Sequence, residues 1–360
     1  MSQNDQISTI HLGLFVLAGQ IGLGNIALPV ILAQRVGHDG WIPILIAGLL
    51  SLGITCLIIL FLKRYRDRTI YEINRFLFGK WLGQLLNFLL LAYLLFLTGV
   101  GLRLFTEYIR LFHLAQIPPL IVTALIALPT IVLTQKGFWA IGRFSYFMIV
   151  ILIASLLLAF TLLKNFHLSF LLPVGTTNWK MLSATIPIVF YAYIGLELPV
   201  FIYPAVKERS QTMRWVVIAN VISLLFFELI YVFSVGIFGE TMLKMTVAPI
   251  FSLSRYIQIQ LIERVDLFFF LLWFPLLEAT FRVYFAIAYD GTVKLFKFKK
   301  TNLSLALFTV VMVFCSLIPS NFNHVFRLER IVNYLGLAVI VYLMVCFLFS
   351  FVRKQGVTPQ

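Results

Sequence analysis

The chain has 360 residues, 61% of them hydrophobic and 12% charged, with a mean hydropathy of +0.99 and a formal net charge of +14. That much apolar surface cannot be hidden in one water-soluble core of this size, so lipid is the solvent for most of it. The positive charge does not point to nucleic acid, because the Lys and Arg residues sit in short segments between apolar runs, where they meet anionic headgroups.

The N-terminus, Met1 to Thr9, carries Asp5, has no Lys or Arg and shows no cleavage site, so the first apolar run is expected to stay in the mature protein. About 20 apolar residues are needed to cross roughly 30 Å of hydrocarbon. On that rule the chain is an all-α polytopic membrane protein with about ten transmembrane helices, at 8–33, 41–62, 83–111, 118–134, 142–163, 182–204, 215–239, 266–289, 303–319 and 331–352. Two basic clusters, Lys63 to Lys80 and Lys294 to Lys300, fall on the same side as the termini. The positive-inside rule therefore makes both ends cytoplasmic.

The first span holds Gly19, Gly22, Gly24 and Pro29, and the sixth holds Gly195, Pro199 and Pro204, so both should lose regular helical hydrogen bonds near their centres. Each carries an Ile-Gly-Leu string, at Ile21 and at Ile194, followed by a proline. Five spans in each half force the second half to enter the membrane in the opposite sense. The expected plan is a five-plus-five inverted repeat with broken first and sixth helices, its halves 1–165 and 166–360 forming one membrane domain. Chance similarity between two Gly- and Pro-bearing spans is the competing reading.

Irregular backbone at membrane depth is tolerated only where protein or a polar cavity satisfies it, so the breaks predict a site. Amides around Gly22, Leu23, Gly24 and Asn25 suit a carboxylate, and carbonyls from Tyr191 to Leu196 suit an ammonium group. An α-amino acid presents both. Candidate ligand-binding residues are Gln20, Gly22, Leu23, Gly24, Asn25, Tyr93, Tyr191, Tyr193, Gly195, Leu196 and Glu197.

Intramembrane charges are costly and should face the protein interior, which makes Glu197, Glu228, Glu278 and Arg282 candidates for coupling or gating. Against this, Glu197 reads equally as a cap on loose amides, Glu228 as a neutral bystander, and Glu278 with Arg282, spaced i, i+4, as a structural ion pair. Arg103 and Glu107 read as a pair at the membrane interface. The segment from Thr241 to Arg264 has apolar residues at Ile250, Leu253, Ile257 and Leu261, the spacing of a short surface helix that serves as a lid or simply lies at the interface.

Enzyme chemistry finds no support. His11, His38, His113, His167 and His324 are scattered, Cys56, Cys315 and Cys346 lie inside apolar runs, and no metal, Walker or nucleophile-elbow pattern occurs, so neither a metal nor a cofactor is expected. The fifth-span core, Phe147 to Thr161, contains no lysine.

The string Gln20-Ile21-Gly22-Leu23-Gly24 through Leu28-Pro29, then Asp39-Gly40-Trp41, and later Tyr193-Ile194-Gly195-Leu196-Glu197 with Pro204, resembles the spore germination permease family, the B subunits of endospore germinant receptors. Asn25 stands where that family usually has an aliphatic residue. The resemblance implies the fold of the amino acid, polyamine and organocation transporter superfamily. It also implies a germinant, typically an amino acid, bound in the spore inner membrane beside an A-type membrane subunit and a C-type lipoprotein. The alternative is a proton- or sodium-coupled amino-acid transporter.

Overall fold

The computed structural model describes residues 6–22, 26–112, 114–257, 265–319 and 321–352. In chain order its α-helices are α1 (Thr9–Gln20), α2 (Leu28–Val36), α3 (Trp41–Arg64), α4 (Ile70–Phe112), α5 (Pro119–Gln135), α6 (Phe138–Thr161), α7 (Trp179–Phe190), α8 (Leu198–Ile202), α9 (Thr212–Met245), α10 (Pro249–Ser254), α11 (Val265–Phe296), α12 (Asn302–Leu317) and α13 (Phe322–Val352). Extended pairing among the described residues is limited to one parallel bridge, Ile7 with Val206. Seven helical stretches are long and apolar enough to cross a membrane, and α1, α5 and α12 are shorter apolar helices.

Local chemistry sets many of the ends. Ser8 caps α1 by accepting from the His11 N–H, Asn178 caps α7 through the Lys180 N–H, and Thr301 and Ser304 form a reciprocal capping box on α12. Pro29 sits in the first turn of α2 and Pro199 in that of α8, where a missing N–H costs nothing. With 43 residues, α4 would run about 65 Å if straight, twice the hydrocarbon thickness. Gly79, at φ +81°, bends it. Gly239, at φ +68°, does the same near the end of α9.

The first and sixth helices are interrupted as the sequence predicts: α1 gives way to α2, and α7 passes through a 3-10 turn, Tyr191–Tyr193, before α8 begins. The core gathers on these elements. The described part of α11 from Leu276 to Tyr289 is almost wholly buried, while Leu85, Phe88, Leu157, Phe160, Leu307 and Phe314 are each more than half exposed. Exposed apolar surface on that scale fits only a lipid-facing perimeter.

The structure adds to two expectations. The charged stretch from Ile70 to the Gly79 bend is helical as well and precedes the span expected at 83–111. Arg103 and Glu107 pair as the sequence suggests, at 2.9 Å, and are enclosed by neighbouring helices at 4% and 9% exposure, with Arg110 at 3.4 Å from the same carboxylate. The surface-helix expectation is met in part by α10, with Ile250, Leu253 and Ile257 buried, while Leu261 lies outside the described residues.

Candidate functional site

The two interruptions touch. A Cβ on Gly195 would stand 2.9 Å from the carbonyl carbon of Gly19, and one on Gly19 would stand 2.9 Å from the Cα of Gly195. Gly195 also holds φ at +124°, a conformation that L side chains rarely adopt. Close approach and backbone geometry thus both require glycine there. Gly22 packs against Thr280 of α11, whose hydroxyl donates to the Ala18 carbonyl at 2.5 Å. Leu23, Gly24 and Asn25 lie outside the described residues.

Beside this meeting point is a cavity of about 70 Å³, bounded by the end of α1, the middle of α4, the turn after α7, α11 and α13. Its polar lining comprises Gln20, Tyr191, Thr280, Tyr284, Glu329 and Asn333. That space is well above the roughly 10–15 Å³ a cavity needs to admit a first water, and its polar partners suit water or a small polar solute.

Glu197 is one layer behind the cavity wall. It is 1% exposed, and its carboxylate is fully occupied: Oε1 accepts from the hydroxyls of Tyr284 at 2.8 Å and Tyr93 at 3.2 Å, and Oε2 accepts from the Gly195 N–H at 2.8 Å. Three donors on a buried carboxylate are what its desolvation demands. Tyr284 belongs both to this cage and to the cavity lining. The turn itself is closed in a similar way, since the carbonyls of Tyr191, Tyr193 and Gly195 already accept from the N–H groups of Ile194, Leu196 and Leu198.

The other sequence-derived candidates are dispersed. Gln20 faces the cavity and donates to Asn220 Oδ1 at 2.8 Å, and Asn220 in turn donates to Thr55 on α3 at 3.1 Å, so a polar chain leads away from the cavity through α9. Tyr193 turns from the cavity toward α3, where its hydroxyl donates to the Ile44 carbonyl at 3.3 Å. Leu196 is fully buried. Glu228 is partly buried on α9, and its Oε1 has no hydrogen-bond partner among the described residues.

Glu278 and Arg282 do pair. Arg282 Nη1 lies 2.8 Å from Glu278 Oε2, Thr130 donates to Oε1 at 2.7 Å, and the guanidinium stacks 4.3 Å over the Phe144 ring. Arg282 is 0% exposed, and its Nε and Nη2 have no hydrogen-bond partner among the described residues. The pair joins α5, α6 and α11, and neither residue lines the cavity although Thr280 between them does.

Sequence reasoning missed Glu329, Asn333, Thr280 and Tyr284. Glu329 is the most consequential: it is a partly buried carboxylate on the cavity wall and, apart from the field it exerts on Tyr108, it has no hydrogen bond or ion pair with another described residue.

Both ends of the interrupted helices are tied. Ile7 N–H donates to Ala205 O at 2.9 Å and Lys207 N–H to Ile7 O at 3.0 Å, which fastens the chain before α1 to the chain after α8. At the opposite end Asp39 accepts from the N–H groups of Gly175 at 2.7 Å and Thr177 at 2.8 Å, and Tyr231 bonds the Gly37 carbonyl. This gives the Asp-Gly-Trp string a mechanical meaning: Asp39 fastens the start of α3 to the loop before α7, and Gly40 leaves room for the Tyr231 ring.

Residues 6–325 match the family model described as "Spore germination protein". Spore germination protein B2 of Bacillus subtilis (strain 168) is 24% identical over 93% of this chain and 92% of its own length, and spore germination protein A2 of the same organism is 24% identical over 97% and 96%. Among solved structures, the crystal structure of MhsT in complex with L-phenylalanine superposes with a TM-score of 0.60 over 96% of this chain and 88% of that one, at 18% identity, a likeness of fold.

Proposed function

Because the chain belongs to the spore germination protein family, a multi-pass membrane family whose model spans most of it, we propose that it is the solute-sensing membrane subunit of a germinant receptor and binds a small amino acid in the cavity beside the two helix breaks. The observation that carries this reading is the cavity itself, placed where Gly19 and Gly195 meet and lined by Gln20, Thr280, Tyr284, Glu329 and Asn333. In this reading the solute's ammonium group faces Glu329, the acidic group among the described residues of the cavity wall, and its carboxylate lies toward the end of α1 and the glycine-rich string Gly22, Leu23, Gly24 and Asn25.

The remaining candidates act behind the solute. Tyr284 touches both the cavity and Glu197, so a solute that moves Tyr284 disturbs the cage that fixes the break of the sixth helix. Thr280 connects the same wall to Ala18, and the Glu278–Arg282 pair anchors α11 two residues to either side. Tyr93, Tyr191, Tyr193, Gly195 and Leu196 hold the second break in shape, and Glu228 remains a gating candidate on α9. Ten spans in two inverted halves, 1–165 and 166–360, put both termini in the cytoplasm. An A-type membrane subunit and a C-type lipoprotein complete the receptor.

A coupled amino-acid transporter is the second reading, and the likeness of fold to MhsT favours it. Purified chain in vesicles separates the two: equilibrium binding of labelled glycine or L-alanine without accumulation supports the receptor, accumulation against a gradient supports transport, and absence of binding by any small amino acid defeats both.

A further inference from the structure

Two large cavities outside the solute site share a wall. The first, about 610 Å³, lies where the end of α5 and the start of α6 meet the end of α11 and the start of α12, and it is lined by Lys136, Lys294 and Lys300 with Asp290 and Thr134. The second, about 1040 Å³, is a groove between α4 and α12 that runs from Lys299 to Pro319 and is lined mainly by apolar side chains such as Phe96, Leu303, Leu307 and Val311. Tyr289, Val293, Phe298 and Thr301 border both, so the polar cavity and the apolar groove adjoin.

The charges in this place do not balance. Lys294 and Lys300 converge on the single carboxylate of Asp290, at 2.5 and 2.8 Å, while Lys136 and Lys299 have no ion partner among the described residues. The Thr134 hydroxyl oxygen is buried against the polar cavity with no hydrogen-bond partner among the described residues. A surplus of cations, an unused hydroxyl and an apolar channel leading away from them describe an amphiphile with an anionic head.

We propose that this joint cavity is a binding site for one anionic phospholipid, with the phosphate seated among Lys136, Lys294 and Lys300, a headgroup oxygen bonded to Thr134, and an acyl chain laid along α12 in the groove. Under the proposed topology the site belongs to the cytoplasmic leaflet. A zwitterionic lipid brings its own cation to the lysines and is a poorer fit. A soluble anion fills the polar cavity and leaves the groove empty. Because Tyr289 and α11 form one wall while α11 also carries Thr280 and Tyr284, a seated lipid braces the helix that bounds the solute cavity.

Native mass spectrometry of the full chain, delipidated in detergent and given equimolar phosphatidylglycerol and phosphatidylcholine, tests this. The expected result is preferential retention of phosphatidylglycerol, a drop of about fivefold in Lys136→Gln, whose ammonium has no described partner to leave stranded, and a comparable drop in Leu307→Trp, which blocks the groove without altering charge. Melting temperatures near wild type verify that both variants fold. Equal retention of the two lipids, indifference to both substitutions, or displacement of phosphatidylglycerol by millimolar inorganic phosphate would each overturn the site. So would a result in which Leu307→Trp leaves lipid retention intact but abolishes association with another receptor subunit, since the groove would then seat a protein helix.

Discussion

Glu197 and Glu329 are both carboxylates close to the second helix break, and the protein treats them in opposite ways. Around Glu197 both carboxylate oxygens meet donors, three in all, the side chain is sealed, and the donors come from α4, α11 and the break itself. Around Glu329 the wall is open to a cavity and no described group meets the carboxylate. The first arrangement is how a fold keeps an interrupted helix in one shape. The second leaves a charge to be completed from outside. Proximity to a helix break is therefore a poor guide to ligand contact, and unspent hydrogen-bonding capacity on a cavity wall is a better one.

The comparison is broken most severely at the point of contact between the two interruptions. Gly195→Val sets side-chain atoms against the Gly19 backbone and imposes a β-branched residue at φ +124°. The expected cost is about 3 kcal/mol or more, read as loss of folded, membrane-inserted protein. Near-normal yield and melting temperature would mean that the breaks do not pack as described.

Glu197→Ala comes next. It strands two tyrosine hydroxyls and one N–H in a sealed site, for an expected loss of about 3 kcal/mol in thermal or denaturant stability. Glu197→Gln recovers only part of this, because its amide NH₂ must face one of three donors; a residual loss of about 1–2 kcal/mol is expected. A glutamine variant as stable as wild type would show that the cage is not fully acceptor-demanding and would revive a neutral Glu197.

Glu329→Gln sharpens the comparison from the other side. With no partner to lose, its stability should stay within about 0.5 kcal/mol of wild type, while affinity for labelled L-alanine falls at least tenfold. Destabilisation with unchanged affinity would exchange the roles of the two carboxylates.

Much of the fold was legible in the sequence because its signals are local. Apolar runs report spans, and Gly195 with Pro199 reports a break wherever the rest of the chain goes. The site was half legible. Glu197 was found by its adjacency to Gly195, yet its satisfied state depends on Tyr93 and Tyr284, which are 104 and 87 residues away. Glu329 was missed because it sits between Arg327 and Arg330 near a helix end, a pattern that reads as interfacial charge. The one usable signal was its spacing to Val332, Asn333 and Gly336, a single helical face. Gly336 lies against Ile194 of the break, which turns that face inward. The Arg103–Glu107 pair was legible from its i, i+4 spacing but its burial was not, since counting depth along a helix cannot say which side its neighbours cover.

A solute bound in the cavity beside the two breaks must compete with any side chain placed there. Val332 lines that cavity and is 7% exposed, so Val332→Trp fills the space while leaving Glu197, Glu329 and the breaks in place. Equilibrium binding of labelled L-alanine is measured for wild type and this variant at matched amounts of folded protein. Saturable binding to wild type and at least a hundredfold weaker binding to the tryptophan variant are expected; equal affinities in the two proteins would place the solute elsewhere.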